Sequence, residues 1–391
     1  MSAESPSDAH SLIRGRWAVG AMFFVNGFLM GSWAPQIPFM LPRHGISEFA
    51  LGLLILLFGA GAVAAMTSVG GFIAGRGSRE VTAWTACVAC IALSLVVFAP
   101  NVASAAPALL LMGASTGTMD VAMNANAVEL EKRLGRAIMS ASHGFWSLGG
   151  LIGGAVGGPV IVAYGVHAHA AATTVLMLVV VAISAPRLIN EAAHDADAEV
   201  KSKFAWPRSP AILIIGVMAL FSMIPEGAVL DWSALYLGKE LHSDVRASGF
   251  GFALFSGAMA LMRFLGDGLR NRFGAVTTMR VSGVIAAGGM LAAGFAPNAA
   301  LAIAAFGVAG LGIANMVPIA FSAAGNQPGL SPGAGIAPAT MLGYSGALAA
   351  PSAIGFVAEH IGFRITYLTL AGLLVVVAAL AGKVASADRA G

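Results

Sequence analysis

Four ionisable side chains stand where sequences rarely keep them. Asp120, His143, Glu226 and Asp231 lie inside stretches otherwise too apolar for water. A carboxylate at bilayer depth costs about 2.5 to 3.5 kcal/mol on insertion scales, so each such group needs a partner or a task. Gly113, Thr116, Gly117, Asp120 and Asn124 recur at spacings of three and four and therefore share one polar, small-residue helical face. On an antiparallel neighbouring helix, His143 reaches similar depth. A carboxylic acid beside an imidazole in low dielectric is a proton-carrying pair, and the plainer alternative is a polar contact that joins two helices. Glu226 is flanked by Pro225 and Gly227, a pattern expected to break the helix and expose backbone groups beside the carboxylate. It is a candidate both for proton coupling and for solute binding. Asp231 lies further towards the outer end, as a solute contact or an interfacial gate.

The elements that must position these groups are membrane spans. With 58% hydrophobic and 10% charged residues, the chain is expected to be a polytopic membrane protein. The polar first sixteen residues end in Arg14 and Arg16 without a cleavable signal pattern. A net charge of +3 spread over short loops does not indicate a nucleic-acid surface, and no nucleic-acid partner is expected. Crossing the bilayer takes about 20 apolar residues, and twelve such runs fall near 17–41, 50–74, 81–98, 105–127, 138–163, 168–186, 211–236, 248–269, 279–295, 301–323, 337–357 and 365–382. Both termini are then cytoplasmic, since 17 of the 21 Lys and Arg residues fall on that side and only Arg43, Lys239, Arg246 and Arg364 fall outside. Trp17, Trp84, Trp206, Tyr164 and Tyr236 are expected as interfacial anchors. An acidic then basic loop divides the chain into a six-helix bundle (1–186), a cytoplasmic linker (187–210) and a second six-helix bundle (211–391).

The two halves repeat. Phe98-Ala99-Pro100-Asn101 recurs as Phe295-Ala296-Pro297-Asn298, and the same offset of 197 aligns Gly113 with Gly310, Met119 with Met316, Gly158 with Gly355 and Gly165 with Gly362. Asp120 aligns with Val317, so the acids are not symmetric: the first half has its acid on span four and the second on span seven.

The loops after spans two and eight resemble the signature of the major facilitator superfamily, through Gly71, Ile73, Ala74 and Arg76 in one half and Leu269, Arg272 and Gly274 in the other. The usual acidic position is Gly75 or Asn271. The stretches MDVAMNANAVELEKR, SASHGFWSLGGLIGG, PEGAVLDWSALYL and MRFLGDGLRNRFG resemble the bacterial MosC- and YbjJ-like group within the fucose-permease-like branch. The resemblance implies two parallel six-helix repeats with a site near the midplane between them. It also implies that spans one, four, seven and ten line that site. Asn26, Trp33 and Gln36 on span one become solute contacts on this basis, joined by Asn124, Trp146, Glu226, Asp231, Asn315 and Tyr344. Arg76, Arg272, Arg263 and Asp267 stand at gating positions, and the four-residue spacing of Arg263 and Asp267 also predicts a structural ion pair between them.

Pro35 and Pro38 predict a bent outer half of span one. Gly149, Gly150, Gly153, Gly154, Gly157 and Gly158 form two rows at four-residue spacing, which predicts close helix packing, with a sliding surface between the halves as one use. Cys87 and Cys90 read as packed small residues, because their apolar neighbours supply neither exposure nor further ligands for redox or metal chemistry.

Secondary active transport is the function these features predict. No nucleotide-binding GxxxxGK followed by Ser or Thr occurs, an intramembrane enzyme would need a nucleophile with a base or a metal cluster, and no loop reaches the size of a signalling domain. The expected protein is not an enzyme and takes no cofactor or metal. It is a monomer in a bacterial inner membrane, and its partners are protons and a small polar solute, sugar-like or cyclitol-like. Abundant Phe and Met keep an exporter of amphipathic compounds as the alternative.

Overall fold

Apolar runs that cannot hydrogen-bond to solvent must satisfy their backbone internally, and the chain does so with helices throughout. The computed structural model describes residues 6–66, 68–134, 138–189, 209–328 and 332–388, and these contain no strand. The helices are α1 (Pro6–Trp33), α2 (Ile37–His44), α3 (Glu48–Met66), α4 (Val69–Arg76), α5 (Ser78–Phe98), α6 (Val102–Leu134), α7 (Met139–Ser184), α8 (Pro210–Lys239), α9 (Phe250–Phe273), α10 (Ala275–Gly294), α11 (Ala299–Ile313), α12 (Met316–Gly325), α13 (Pro332–Ile361) and α14 (Phe363–Ala379). A 3-10 segment, Leu380–Asp388, follows α14. Most of the linker region, 190–208, including Trp206, lies outside the described residues.

Among the described residues eleven helical stretches are long and apolar enough to cross a membrane. One of them, Ala141–Arg187, has 47 residues and holds both the fifth and the sixth expected spans. It is interrupted at Gly165, whose φ of 85° and ψ of 165° no helix contains.

The chain divides into two units, one of residues 1–36 and 57–202, the other of residues 37–56 and 203–391. In the first unit α1 and α7 lie backbone to backbone. A Cβ on Gly27 would sit 1.9 Å from the Trp146 carbonyl oxygen, and one on Gly31 would sit 2.4 Å from that of Gly150. The glycines of span five therefore pack against span one inside this unit.

The duplication is written into the backbone. Gly77 and Gly274 share positive φ at 80° and 78°, and Gly165 and Gly362 at 85° and 88°. A Cβ on Gly113 would meet the Phe58 oxygen at 1.8 Å, and one on Gly310 would meet the Phe255 oxygen at 2.4 Å. Each pair keeps the offset of 197 found in the sequence.

Helix breaks fall where proline withdraws a donor. Pro35 lies within the 3-10 turn Ala34–Gln36 that separates α1 from α2, and Pro38 in the first turn of α2. Pro318 stands in the first turn of α12, after the break that separates it from α11. The expected break at Pro225 does not occur, because α8 continues through Pro225, Glu226 and Gly227 to Lys239. One missing amide costs a long, packed helix a single hydrogen bond, not its continuity. Tyr236 is also not an interfacial anchor. It is fully buried, and its hydroxyl donates to the Ala293 carbonyl at 2.6 Å.

Candidate functional site

In the first unit α6 presents Asp120, half-buried, one turn before Asn124. The Asn124 amide donates to the Asp120 backbone oxygen at 2.8 Å and to its carboxylate Oδ1 at 3.3 Å. The described partner of the acid is thus on its own helix, as the four-residue spacing predicts. His143, on α7, sets its ring edge-on to Phe23 of α1 at 5.0 Å between centroids.

Three helices meet at Asn26. The Trp146 indole N–H donates to Asn26 Oδ1 at 2.9 Å, and the Asn26 amide donates to the Thr116 carbonyl at 3.3 Å. This chain joins α7, α1 and α6 through two residues that the sequence ranks as solute contacts. Trp33 is buried in the same unit at 2% exposure. Gln36 is buried too, its amide donating to the Val166 carbonyl at 3.0 Å and to His169 Nδ1 at 2.8 Å. Because Nδ1 accepts there, the ring proton is on Nε2.

Sequence reasoning passed over His169. Its signal was a second histidine inside an expected span, two residues after the loop-side His167.

Arg76 ends α4. It lies 3.9 Å from Glu80, with both side chains exposed, and over the Phe72 ring at 5.9 Å. Phe72, Trp84 and Thr118 line a hollow of about 570 Å³ beside it.

In the second unit Glu226 of α8 faces Arg263 of α9, with Oε1 3.7 Å from Nη2. Arg263 therefore reaches across to the neighbouring helix. The side chain of Asp267, its expected partner along α9, lies outside the described residues, as does that of Tyr344. The Glu226–Arg263 separation is long for a hydrogen bond, so the pair is an ionic contact that leaves the carboxylate acceptor capacity for another donor.

Asn315 sits in the gap between α11 and α12 and is 8% exposed. Its amide donates to the Met262 carbonyl at 3.3 Å. Asp231 is also 8% exposed. Arg272 lies over the Phe273 ring at 5.3 Å.

Asp120 in the first unit and Glu226 in the second are both half-open to their surroundings. Around them stand amide and indole groups that bridge helices. Such an arrangement offers acceptors to hydroxyl and amine donors; among the described residues no group of three or more His, Cys, Asp or Glu is placed to hold a metal ion.

Residues 19–328 match the sequence family described as Major Facilitator Superfamily. An uncharacterized MFS-type transporter of Yersinia pestis is 36% identical over 364 residues, covering 93% of this chain and 94% of that protein. Membrane protein MosC of Rhizobium meliloti is 33% identical over 364 residues, covering 92% of this chain and 88% of that protein. An uncharacterized transporter of Sinorhizobium fredii is 32% identical over 370 residues, covering 93% and 96%. Among solved structures, a variant of the nucleoside transporter NupG superposes with a TM-score of 0.74 at 15% identity, covering 94% of this chain and 99% of that one. A bacterial homolog of the human lysosomal transporter Spinster does so with a TM-score of 0.73 at 14% identity, covering both chains fully at 100%. At such identities these likenesses speak for the fold alone.

Proposed function

Since the chain belongs to the Major Facilitator Superfamily, we propose that it is a proton-coupled secondary transporter that moves a small polar organic solute, sugar-like or cyclitol-like, across the bacterial inner membrane by alternating access. Members of this family are multi-pass membrane transporters of small molecules. Within this reading the 46-residue α7 counts as two crossings, because at 1.5 Å per residue a single helix of that length would span about 70 Å against roughly 30 Å of hydrocarbon. The chain then crosses twelve times, with both termini in the cytoplasm.

The observation that carries the reading is the half-buried carboxylate of Asp120, hydrogen-bonded to Asn124 on a helix that must cross the bilayer. A carboxylate kept at that depth is a transport or proton-relay group by default. The bridge of Asn26, Trp146 and Thr116 supports a polar solute, because it interleaves hydrogen-bonding groups with an aromatic face. The alternative reading is a proton-driven exporter of amphipathic or cationic compounds, favoured by 21 Phe and 18 Met residues.

Asp120→Asn tests the coupling. In proteoliposomes the variant is expected to lose accumulation of inositol driven by a pH gradient, while it still exchanges inositol between equal concentrations on the two sides. Unchanged pH-driven uptake would remove Asp120 from the coupling path.

A further inference from the structure

Asp231 is the one acid of the second unit for which the described residues supply neither a hydrogen bond nor an ion pair. Glu226, five residues earlier on α8, has Arg263. Asp231 is 8% exposed, and the two residues after it, Trp232 and Ser233, are fully buried. The Trp232 indole N–H and the Ser233 hydroxyl also lack partners among the described residues. Around this turn stands an aromatic cluster in which Tyr236 and Phe306 each approach Tyr367 at 5.0 Å between ring centroids, and Trp232 approaches Phe363 at 5.8 Å.

Three of the cations around α8 already face acids of their own. Arg263 of α9 serves Glu226, Lys239 at the end of α8 serves Glu48 of α3, and Arg364 of α14 serves Glu240. From α2, Arg43 and His44 stand at the end of the helix that borders the hollow shared with Ala234–Lys239. On α13, Glu359 accepts from the Phe49 amide and His360 contacts the Phe356 carbonyl at 2.8 Å. α11 and α12 carry no ionisable side chain. On the terminal 3-10 segment Asp388 accepts from the Ala275 amide, and that segment also carries Lys383. Tyr367 of α14 donates its hydroxyl to the Ala228 carbonyl of α8 at 3.4 Å. A tyrosine hydroxyl offers no counter-charge.

We propose that Asp231, and not Glu226, is the acid through which the second unit carries a coupling proton, an assignment that rests on the proton-coupled reading above. An ionised carboxylate buried without a cation or donor pays the full cost of desolvation, and a bound proton removes it. A proton from one aqueous phase forms an O–H bond with a carboxylate oxygen of Asp231, and that bond breaks when the proton leaves to the other phase. No other group changes its bonding. Glu226, held by Arg263, keeps its charge and remains available to the solute. The two acids of α8 thus divide proton and solute between them, five residues apart.

Infrared spectra of the full chain in nanodiscs, recorded across a pH titration, test the proton directly. One carboxylic-acid carbonyl component of the wild-type spectrum is expected to persist in Glu226→Gln and in Asp120→Asn and to be lost in Asp231→Asn. Identical bands in wild type and Asp231→Asn overturn the proposal. In proteoliposomes Asp231→Asn is expected to lose pH-driven accumulation of inositol, with Asp231→Glu restoring it on a displaced pH profile. Full accumulation by Asp231→Asn overturns the assignment and leaves proton coupling standing. A wild type that accumulates no inositol under a pH gradient overturns the coupling reading instead, and the infrared band then decides alone whether Asp231 holds a proton. If Asp231→Asn does not insert, Asp231→Glu carries the test: a moved band supports the assignment and an unmoved one overturns it.

Discussion

Gly153→Leu is expected to prevent the first unit from folding. A Cβ alone at this position would lie 2.5 Å from the Phe28 carbonyl oxygen, 2.9 Å from the Ser32 amide nitrogen and 3.1 Å from the Ser32 hydroxyl. The two closest atoms belong to backbone and cannot rotate away. Gly149 repeats the approach one turn earlier, 2.3 Å from the Phe24 oxygen. With α1 and α7 pinned along this seam, relief at one point strains the next. Overpacking a well-packed core costs typically about 1 to 3 kcal/mol, and a backbone clash lies at or above the upper end of that range. Domains have only about 5 to 15 kcal/mol in total. Leucine adds three carbons beyond the Cβ, so loss of the monodisperse peak on fluorescence-detected size exclusion is the expected outcome. Gly288→Leu is the control, since nothing stands within 4 Å of that position and it is exposed. A Gly153→Leu protein with wild-type melting temperature and transport would show that the seam between α1 and α7 is not close-packed.

Glu226→Gln is expected to weaken binding of a neutral polyol by roughly 10- to 150-fold, because removing a charged acceptor from a bound hydroxyl costs about 1.5 to 3 kcal/mol. The ion pair with Arg263 sharpens the expectation. At 3.7 Å the guanidinium does not occupy the carboxylate lone pairs, and the Glu226 side chain is 27% exposed. Two solute hydroxyls can then be accepted in a charge-assisted geometry. Glu226→Ala should weaken binding further. Both variants should stay folded, because a pair this exposed contributes far less to stability than a fully buried one. The exporter reading gives a different pattern, in which the carboxylate attracts cations. Under it both variants lose tetraphenylphosphonium and keep neutral ligands. Titrations of inositol and tetraphenylphosphonium against wild type and both variants separate the two readings. Equal affinities for all three proteins would take Glu226 out of the site.

The helices were legible because an apolar run of span length has few alternatives. The duplication was legible because close approaches and positive φ demand glycine, and so Gly77 with Gly274, Gly113 with Gly310 and Gly165 with Gly362 survive in the sequence at one offset. Contacts along one helix were legible too, as Asp120 with Asn124 shows. What crosses between helices was not. Spacing predicted Arg263 with Asp267, whose side chain lies outside the described residues, and Arg263 also approaches Glu226 on another helix, a contact that no sequence period encodes. Gln36 read as a solute contact, and its partners Val166 and His169, well over one hundred residues away, were not legible at all. Tyr236 read as an interfacial anchor from its position near a span end, but hydropathy does not report which face of a helix is covered, and its hydroxyl is satisfied inside the second unit. Proline was over-read at Pro225, where packing along α8 outweighs one lost donor, and correctly read at Pro35 and Pro38, where the chain turns.

The central claim is that solute and proton move together, and the pH inside wild-type proteoliposomes tests it most directly. With a pH indicator trapped inside and no gradient imposed, adding inositol outside is expected to acidify the lumen in step with inositol entry. A polyol that enters with no change in internal pH, or tetraphenylphosphonium driven across by a pH gradient while inositol is not moved, would contradict the account.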